Sequence, residues 1–440
     1  MELPRWSAPT APGPVDAVVT LPGSKSLTNR YLVVAALADR PSRVRGPLRS
    51  RDTALMAAAL EALGARVEDV DGGGPEPDWL VTPAERLTGG RVDVGLAGTV
   101  MRFVPPLAAL AAGDVALDGD PRARERPMAP VVDALRALGV DVEDGGRGAL
   151  PLLVHGRGSV GGGEVTLDAG ASSQFVSGLL LAAARYDRGL VVRHVGPPLP
   201  SEPHVAMTVE TLRDVGVVVD DSEPDVWSVR PGPVAGLDVQ VEPDLSSAAP
   251  FLAAAAVTGG RVRVQGWPQH TTQAGDALRD LLDEMGAEVS LDRDGLEVRG
   301  GDLYGVDADL HEAGELVPVV VALAALASTP TRLRGVAHLR GHETDRLAAL
   351  ATEVTRLGGS VEETDDGLVV RPAPLRGGLV RTYADHRIAQ AAAVLGLRVP
   401  DLEVEDVGTT AKTLPGFVGL WESMLAGPAA RAAPARASRP

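Results

Sequence analysis

The chain has 440 residues, 45% hydrophobic and 23% charged, so it is too long for one ordinary core and too apolar to be disordered throughout. A formal net charge of -17 argues against a general binder of nucleic acid or acidic membrane, and an anionic ligand would need a local cationic pocket set against that field. With no Cys there are no disulfides, no thiolate metal site and no Cys nucleophile, and the 8 His include no H-E-x-x-H pair, so neither metal nor cofactor is expected.

The N-terminus, MELPRWSAPTAPGP, has no apolar h-region, and no apolar run spans a membrane without charges, Gly or Pro. The simplest compartment is the cytoplasm. The first strand is Asp16–Thr20. An Ala-rich helical run, a turn and a β-branched strand follow at Val33–Val44. This pattern returns at Leu107–Leu117, Leu179–Val192, Phe251–Val264, Val320–Leu333 and Ala389–Leu402. The starts lie roughly 70 residues apart, which reads as six copies of one unit. Between them falls a second pattern, an amphipathic helix end, a Gly and an alternating strand. It occurs at Ala59–Glu68, Ala134–Glu143, Thr211–Asp220, Leu281–Ser290 and Glu353–Glu362. The Gly suits a helix C′ position, where φ > 0 is cheap only without a Cβ.

Each unit therefore holds two helices and several strands, an α/β chain. The near-solid Ala/Leu/Val helices should be buried all round and the amphipathic ones should lie outside. The last unit ends at the helix Phe417–Leu425 with no strand after it, and Asp16–Thr20 has no helix before it. The N-terminal strand is thus expected to complete the last unit. This gives a first lobe over 23–240 with repeats one to three, and a second lobe from 1–22 and 241–426 with repeats four to six. Crossings at Leu21–Ser24 and Val239–Asp244 would act as a hinge. The low-complexity segment 427–440, GPAARAAPARASRP, is expected to be a disordered tail.

Seven segments could carry chemistry. Pro22–Arg30 (PGSKSLTNR) puts Lys25 and Arg30 at a helix start, where N–H groups and the dipole favour anions; a capped helix with two solvated cations explains it equally well. Gly95–Arg102 (GLAGTVMR) lets backbone approach a ligand at Gly98, or is a plain glycine turn. Pro121–Pro127 (PRARERP) holds three Arg in five residues, either a solvated face or a rigid fork for carboxylate or phosphate. Ala171–Phe175 (ASSQF) lines up three polar side chains before a buried helix, more than an ordinary cap needs. In His338–Leu347 (HLRGHETDRL), a helix from His342 would gather His342, Glu343 and Arg346 on one face, as would a surface ion-pair helix. Ala384–Ile388 (ADHRI) pairs Asp385 with the His386 ring and turns Arg387 to a ligand, and Thr410–Gly416 (TAKTLPG) supplies Lys412 from a loop. Cations recur at helix starts in an otherwise acidic protein, and surface solubility does not explain that. The pattern points to a polyanionic ligand pair in an interdomain cleft.

These seven motifs, in this order and spacing, resemble the 5-enolpyruvylshikimate-3-phosphate synthase family, over about Pro14 to Leu425. The resemblance implies a two-domain inside-out α/β barrel of six βαβαββ repeats that closes like a clamp. It implies transfer of the enolpyruvyl group of phosphoenolpyruvate to the 5-hydroxyl of shikimate 3-phosphate, towards chorismate and the aromatic amino acids. Its substrates are small molecules; no nucleic acid or membrane partner is expected, and the chain should be a monomer. Lys25, Ser26, Arg30, Ser172, Ser173, Gln174 and Ser201 would then hold shikimate 3-phosphate. Lys25, Gly98, Arg122, Gln174, Arg346, Arg387 and Lys412 would hold phosphoenolpyruvate, and Arg102 would support the glycine turn. Glu343 would work at the methylene carbon. The family's usual Asp for the hydroxyl proton is absent from His311–Pro318 (HEAGELVP), so Glu315 takes that role, with Glu312 second.

The chain departs from the family at His342, where many members have Lys, and His342 is assigned to shikimate 3-phosphate and to catalysis. Leu96 replaces a commoner Asn, Glu202 and His204 a commoner Lys and aromatic, and His338 an Asn. Glyphosate should compete with phosphoenolpyruvate. The sister enzyme that acts on UDP-N-acetylglucosamine usually has a loop Cys, absent here, and Asn where this chain has Ser26. A non-catalytic repeat scaffold would not need paired carboxylates among converging cations.

Overall fold

The computed structural model describes residues 3–73 and 76–430. The chain divides into two compact units: Pro22–Glu242, and the segments on either side of it, up to Leu21 and from Pro243. Five four-stranded sheets and one three-stranded sheet are present among the described residues. No helix among these residues is long and apolar enough to cross a membrane.

The second repeat shows the plan. Strand Thr88–Asp93 runs parallel to Ala112–Asp118, and the helix Gly98–Ala108 makes the crossover that a parallel pair requires. The helix Ala129–Ala137 follows, and then Asp141–Glu143 and Leu152–Arg157 close the sheet as an antiparallel pair. The result is β-α-β-α-β-β. The third and fifth repeats have the same order and pairing.

The first and fourth repeats obtain their opening strands differently. Asp16–Val19 directly precedes the helix Lys25–Ala36, yet it pairs parallel with Arg261–Gln265 in the fourth repeat. Asp238–Gln240 directly precedes the helix Leu245–Thr258, yet it pairs parallel with Ser42–Arg45 in the first. Both passages between units thus fall between a strand and the following helix. This corrects the expectation that Asp16–Thr20 completes the last repeat. Its Ala17 and Val19 face the core of the fourth repeat, and Arg261 Nη2 fixes the register by donating to Asp16 Oδ1 at 2.8 Å. The last repeat is instead extended by Arg5–Ser7, antiparallel to Leu402–Glu405. A three-residue strand has too little alternation to be read from sequence.

The Ala-rich runs are the buried helices. Every residue of Leu245–Thr258 and of His386–Gly396 is buried, as is Val317 through Ala325 of the helix Val317–Leu326. The second helix of a repeat buries one face only, as Ala129–Ala137 does with Val131, Val132, Ala134 and Leu135. The glycines after these second helices all take the left-handed conformation: Gly64 at φ 102°, Gly139 at 81°, Gly216 at 79°, Gly286 at 97° and Gly358 at 94°. Several of the scarce aromatics gather where the chain ends meet. Trp6 meets Phe417 edge-on at 6.4 Å, and Phe251 meets Trp421 at 5.5 Å. The last helix, Phe417–Ala430, is broken at Gly427 (φ 67°, ψ 179°). Of the segment 427–440 expected as a tail, 428–430 lie in a helical turn beyond that break and 431–440 lie outside the described residues.

Candidate active site

In the unit Pro22–Glu242, three helix starts carry the expected residues. Ser24 caps the helix Lys25–Ala36 by accepting from Leu27 N at 3.5 Å. Lys25 Nζ lies 3.6 Å from Asp52 Oδ2, and the Asp52 side chain is only 4% exposed. Arg30 is fully buried and ties helices together. Its Nε donates to Thr208 Oγ1 (2.8 Å), Nη1 to Ser26 O (2.9 Å) and Nη2 to His204 O (2.7 Å). Its charge is thus set among protein acceptors beneath Ser26.

The Gly98 turn is crowded with polar groups. A Cβ on Gly98 would lie 3.0 Å from Gln174 Oε1, 3.3 Å from Arg102 Nη1 and 3.3 Å from Arg126 Nη2. Gly98 opens the helix Gly98–Ala108 and Gln174 opens the helix Gln174–Ala183. Arg102 braces this turn as expected, donating to Gly98 O (3.4 Å) and Pro127 O (3.2 Å), with its guanidinium 5.7 Å above the Phe175 ring. Ser173 is buried next to Gln174, and Ser172 Oγ accepts from Gln174 N at 3.3 Å. Ser201 sits at φ 53°, a conformation uncommon for Ser, just ahead of the helix Pro203–Asp214. Arg122 and Arg124 do not face this turn. They lie in the exposed 3₁₀ turn Pro121–Glu125 and pair with Glu125 and Asp118.

The other unit holds the carboxylates. The helix expected from His342 begins instead at Arg346, capped by Asp345, which accepts from Ala348 N at 3.1 Å. Asp345 prefers the cap because its side chain competes for the first free N–H groups. Glu343 still meets Arg346, from the turn before the helix. Glu343 Oε2 accepts from Arg346 Nη2 (3.0 Å) and Oε1 from Lys412 Nζ (2.6 Å). Burial would push the Glu343 carboxyl up, but Lys412 and Arg346, with His386 and His342, hold it well below the usual carboxylate range. Arg346 is 3% exposed and donates through Nε to Asp385 Oδ2 (2.8 Å) and Nη2 to Oδ1 (3.3 Å). Despite burial, Asp385 and Glu343 hold its guanidinium firmly protonated. Nη1 of Arg346 reaches His342 Nδ1 at 3.2 Å.

Asp385 was expected to fix the His386 ring. It grips Arg346 instead, because a buried guanidinium needs a fully charged partner, and its nearest oxygen is 3.8 Å from His386 Nδ1. Arg387 donates to Ser246 O (2.8 Å) and Gln390 Oε1 (3.3 Å). Glu315 is half-buried in the turn Gly314–Leu316 and accepts from Ser246 Oγ at 3.1 Å; Glu312 is exposed. Asp52, Ser246 and Arg126 were not singled out by sequence reading. Arg126 lay within a motif already noted. Asp52 and Ser246 carried no local signal, since their partners are 27 and 69 residues away.

Six repeated α/β units, each with a buried helix, define the architecture. It is the fold of the enolpyruvyl transferase NikO from Streptomyces tendae, to which the chain is similar at TM-score 0.75 and 20% identity, covering 94% of this chain and 96% of that one. The chain belongs to the EPSP synthase (3-phosphoshikimate 1-carboxyvinyltransferase) family, whose model matches residues 9–421. It is 59% identical over 428 residues to a 3-phosphoshikimate 1-carboxyvinyltransferase of Kocuria rhizophila, with 96% of each covered. It is also similar to an EPSP synthase structure from Acinetobacter baumannii, at TM-score 0.81 and 25% identity, covering 96% of this chain and 98% of that one.

Proposed function

We propose that this chain transfers the enolpyruvyl group of phosphoenolpyruvate to the 5-hydroxyl of shikimate 3-phosphate, releasing phosphate. Family membership over nearly the whole chain supports the reaction. The single observation that carries the chemistry is Glu343, a buried carboxylate clamped between Lys412 and Arg346.

The reaction needs a proton delivered to the methylene carbon, a proton taken from the attacking hydroxyl, and a proton removed from the new methyl group as phosphate leaves. Glu343 serves the carbon. Without ligand it is ionised, because its two cations outweigh burial. A phosphate or carboxylate arriving at Lys412 and Arg346 competes for those cations and raises the carboxyl towards protonation, which fits it to give a proton and then take one back. Glu315 takes the hydroxyl proton, and the Ser246 hydroxyl fixes its orientation.

Lys25, Gly98, Gln174, Arg346, Arg387 and Lys412 bind phosphoenolpyruvate; Arg122, expected among them, pairs with Glu125 in an exposed turn and is left out of the set. Lys25, Ser26, Arg30, Ser172, Ser173, Gln174, Ser201 and His342 bind shikimate 3-phosphate. Because a guanidinium only donates, His342 Nδ1 is the acceptor towards Arg346, which leaves Nε2 to carry the ring proton and donate to substrate. The test is a product assay with the two substrates. Formation of the enolpyruvyl product with phosphate release supports the reading; turnover only with a uridine sugar, or none, overturns it.

A further inference from the structure

The turn that leads into the helix His386–Gly396 is built against local preference. Asp385 N donates to Thr382 O at 2.9 Å, and the two residues between them both sit at positive φ, Tyr383 at 54° and Ala384 at 56°. That is the pattern of a type I′ turn, whose central positions favour Gly, Asn and Asp because a Cβ is crowded there. Tyr and Ala hold such a shape only where surrounding contacts impose it.

Glu353 supplies those contacts. Its side chain is 3% exposed, on the helix Arg346–Arg356. Oε1 accepts from the Tyr383 hydroxyl at 2.6 Å, and Oε2 accepts from Arg381 N and from Arg356 Nη1, each at 3.0 Å. Pairing with Arg356 alone would be an ordinary surface bridge within one helix and would not need a buried carboxylate. The other two donors come from the turn segment, on either side of buried Thr382. Glu353 stands about two helical turns beyond Arg346, so the two share one face. That face is strapped to the turn twice, at Arg346 by Asp385 and at Glu353 by Tyr383 and Arg381.

We propose that Glu353 and Tyr383 are positioning residues for phosphoenolpyruvate binding. Their hydrogen bond latches the strained turn onto the helix Arg346–Arg356. The latch fixes where Asp385 meets Arg346 and where Arg387 leaves the next helix start. Both residues act through those arginines, and the Tyr383 hydroxyl is engaged by Glu353. The proposal rests on the reading of Arg346 and Arg387 as phosphoenolpyruvate-binding residues.

The test compares wild type, Tyr383→Phe, Ala384→Gly and the double variant by steady-state kinetics in both substrates and by thermal unfolding. No turnover by wild type would overturn the donor reading and this proposal with it; once turnover is established, the other outcomes bear on the latch alone. Tyr383→Phe removes one hydroxyl and leaves the contact from Arg381 N. It should raise KM for phosphoenolpyruvate by about fivefold or more, part of the roughly tenfold worth of a hydrogen bond to a charged group, with KM for shikimate 3-phosphate within about twofold. Ala384→Gly relaxes the turn, since glycine takes φ > 0 freely. Alone it should leave both KM values within about twofold, and in the double variant it should bring KM for phosphoenolpyruvate back towards wild type. A hydrogen bond with a merely structural role would give no such rescue. An unchanged KM for phosphoenolpyruvate in Tyr383→Phe, equal shifts for both substrates, or a rise that Ala384→Gly leaves in place would overturn the proposal. Should Tyr383→Phe alone fail to fold, the double variant decides: a folded protein with near-wild-type KM supports the latch, and failure to fold overturns it.

Discussion

Asp385 does two jobs with one carboxylate. It caps the helix His386–Gly396 by accepting from Arg387 N at 2.8 Å, and it holds Arg346 through Nε at 2.8 Å. The start of one helix thereby fixes the first residue of another, Arg346–Arg356. Both side chains are almost wholly excluded from water, at 0% and 3% exposed.

Asp385→Asn separates the two roles. Asn caps helices about as well as Asp, so the helix start should survive. The buried guanidinium loses its charged partner, which typically costs about 3–5 kcal/mol. Denaturant unfolding should show a loss of that order, and KM for phosphoenolpyruvate should rise as Arg346 loses its aim. Wild-type stability in this variant would show that Glu343 alone suffices to hold Arg346.

Glu343→Gln should lower kcat by about 10²–10⁴, the usual range for a missing acid–base group. KM for phosphoenolpyruvate should not rise. The variant removes a negative charge from beside Lys412 and Arg346, and anion binding gains by it. Steady-state kinetics separate the two parameters; a raised KM with kcat intact would make Glu343 a structural clamp for Lys412 and nothing more.

The sequence exposes these elements unevenly. The repeat was legible because the buried helices carry Ala/Leu/Val-rich stretches and five second helices stop at a left-handed glycine. Those are local signals, written within a dozen residues. The exchange of Asp16–Val19 and Asp238–Gln240 between units was not legible, since both strands alternate as any half-buried strand does and nothing local names their partners. The same holds for the site. Lys25 and Arg387 stand at helix starts that the sequence marks. That Asp385 would serve Arg346 instead of His386, and that Arg126 would turn towards Gly98 while Arg122 turns to Glu125, are decided by long-range packing.

Lys25→Ala should abolish measurable turnover without unfolding the protein, because the Ser24 cap remains and the Lys25 side chain is 21% exposed. Asp52→Asn tests how that lysine is aimed. Its loss leaves Lys25 without its acidic partner at 3.6 Å, and KM for the anionic substrates should rise by about fivefold, the scale of one partly buried ion pair. Circular dichroism should show the native helix content in both variants. Full activity in Lys25→Ala would remove it from the mechanism.

His338 gives the fold a pH dependence that can be isolated. Burial holds its ring near pKa about 4, against an ordinary 6.5, and positive charge at His311 and Arg346 adds to the effect, while Glu315 and the backbone at Gly335 oppose it. The His311 and His342 rings stand 5.6 and 5.8 Å away, so a proton on His338 would have neither room nor welcome. The unfolded chain takes up a proton below about 6.5, whereas the folded ring refuses one until about 4. His338 therefore contributes its full stability above that upper value and loses it as pH falls through the window. His338→Asn keeps a hydrogen-bonding side chain and cannot titrate, so its urea midpoint should fall less than that of wild type between neutral pH and the lower edge of the window. Parallel pH curves for the two proteins would show that His338 is protonated alike in both states, and the burial argument for it would fail.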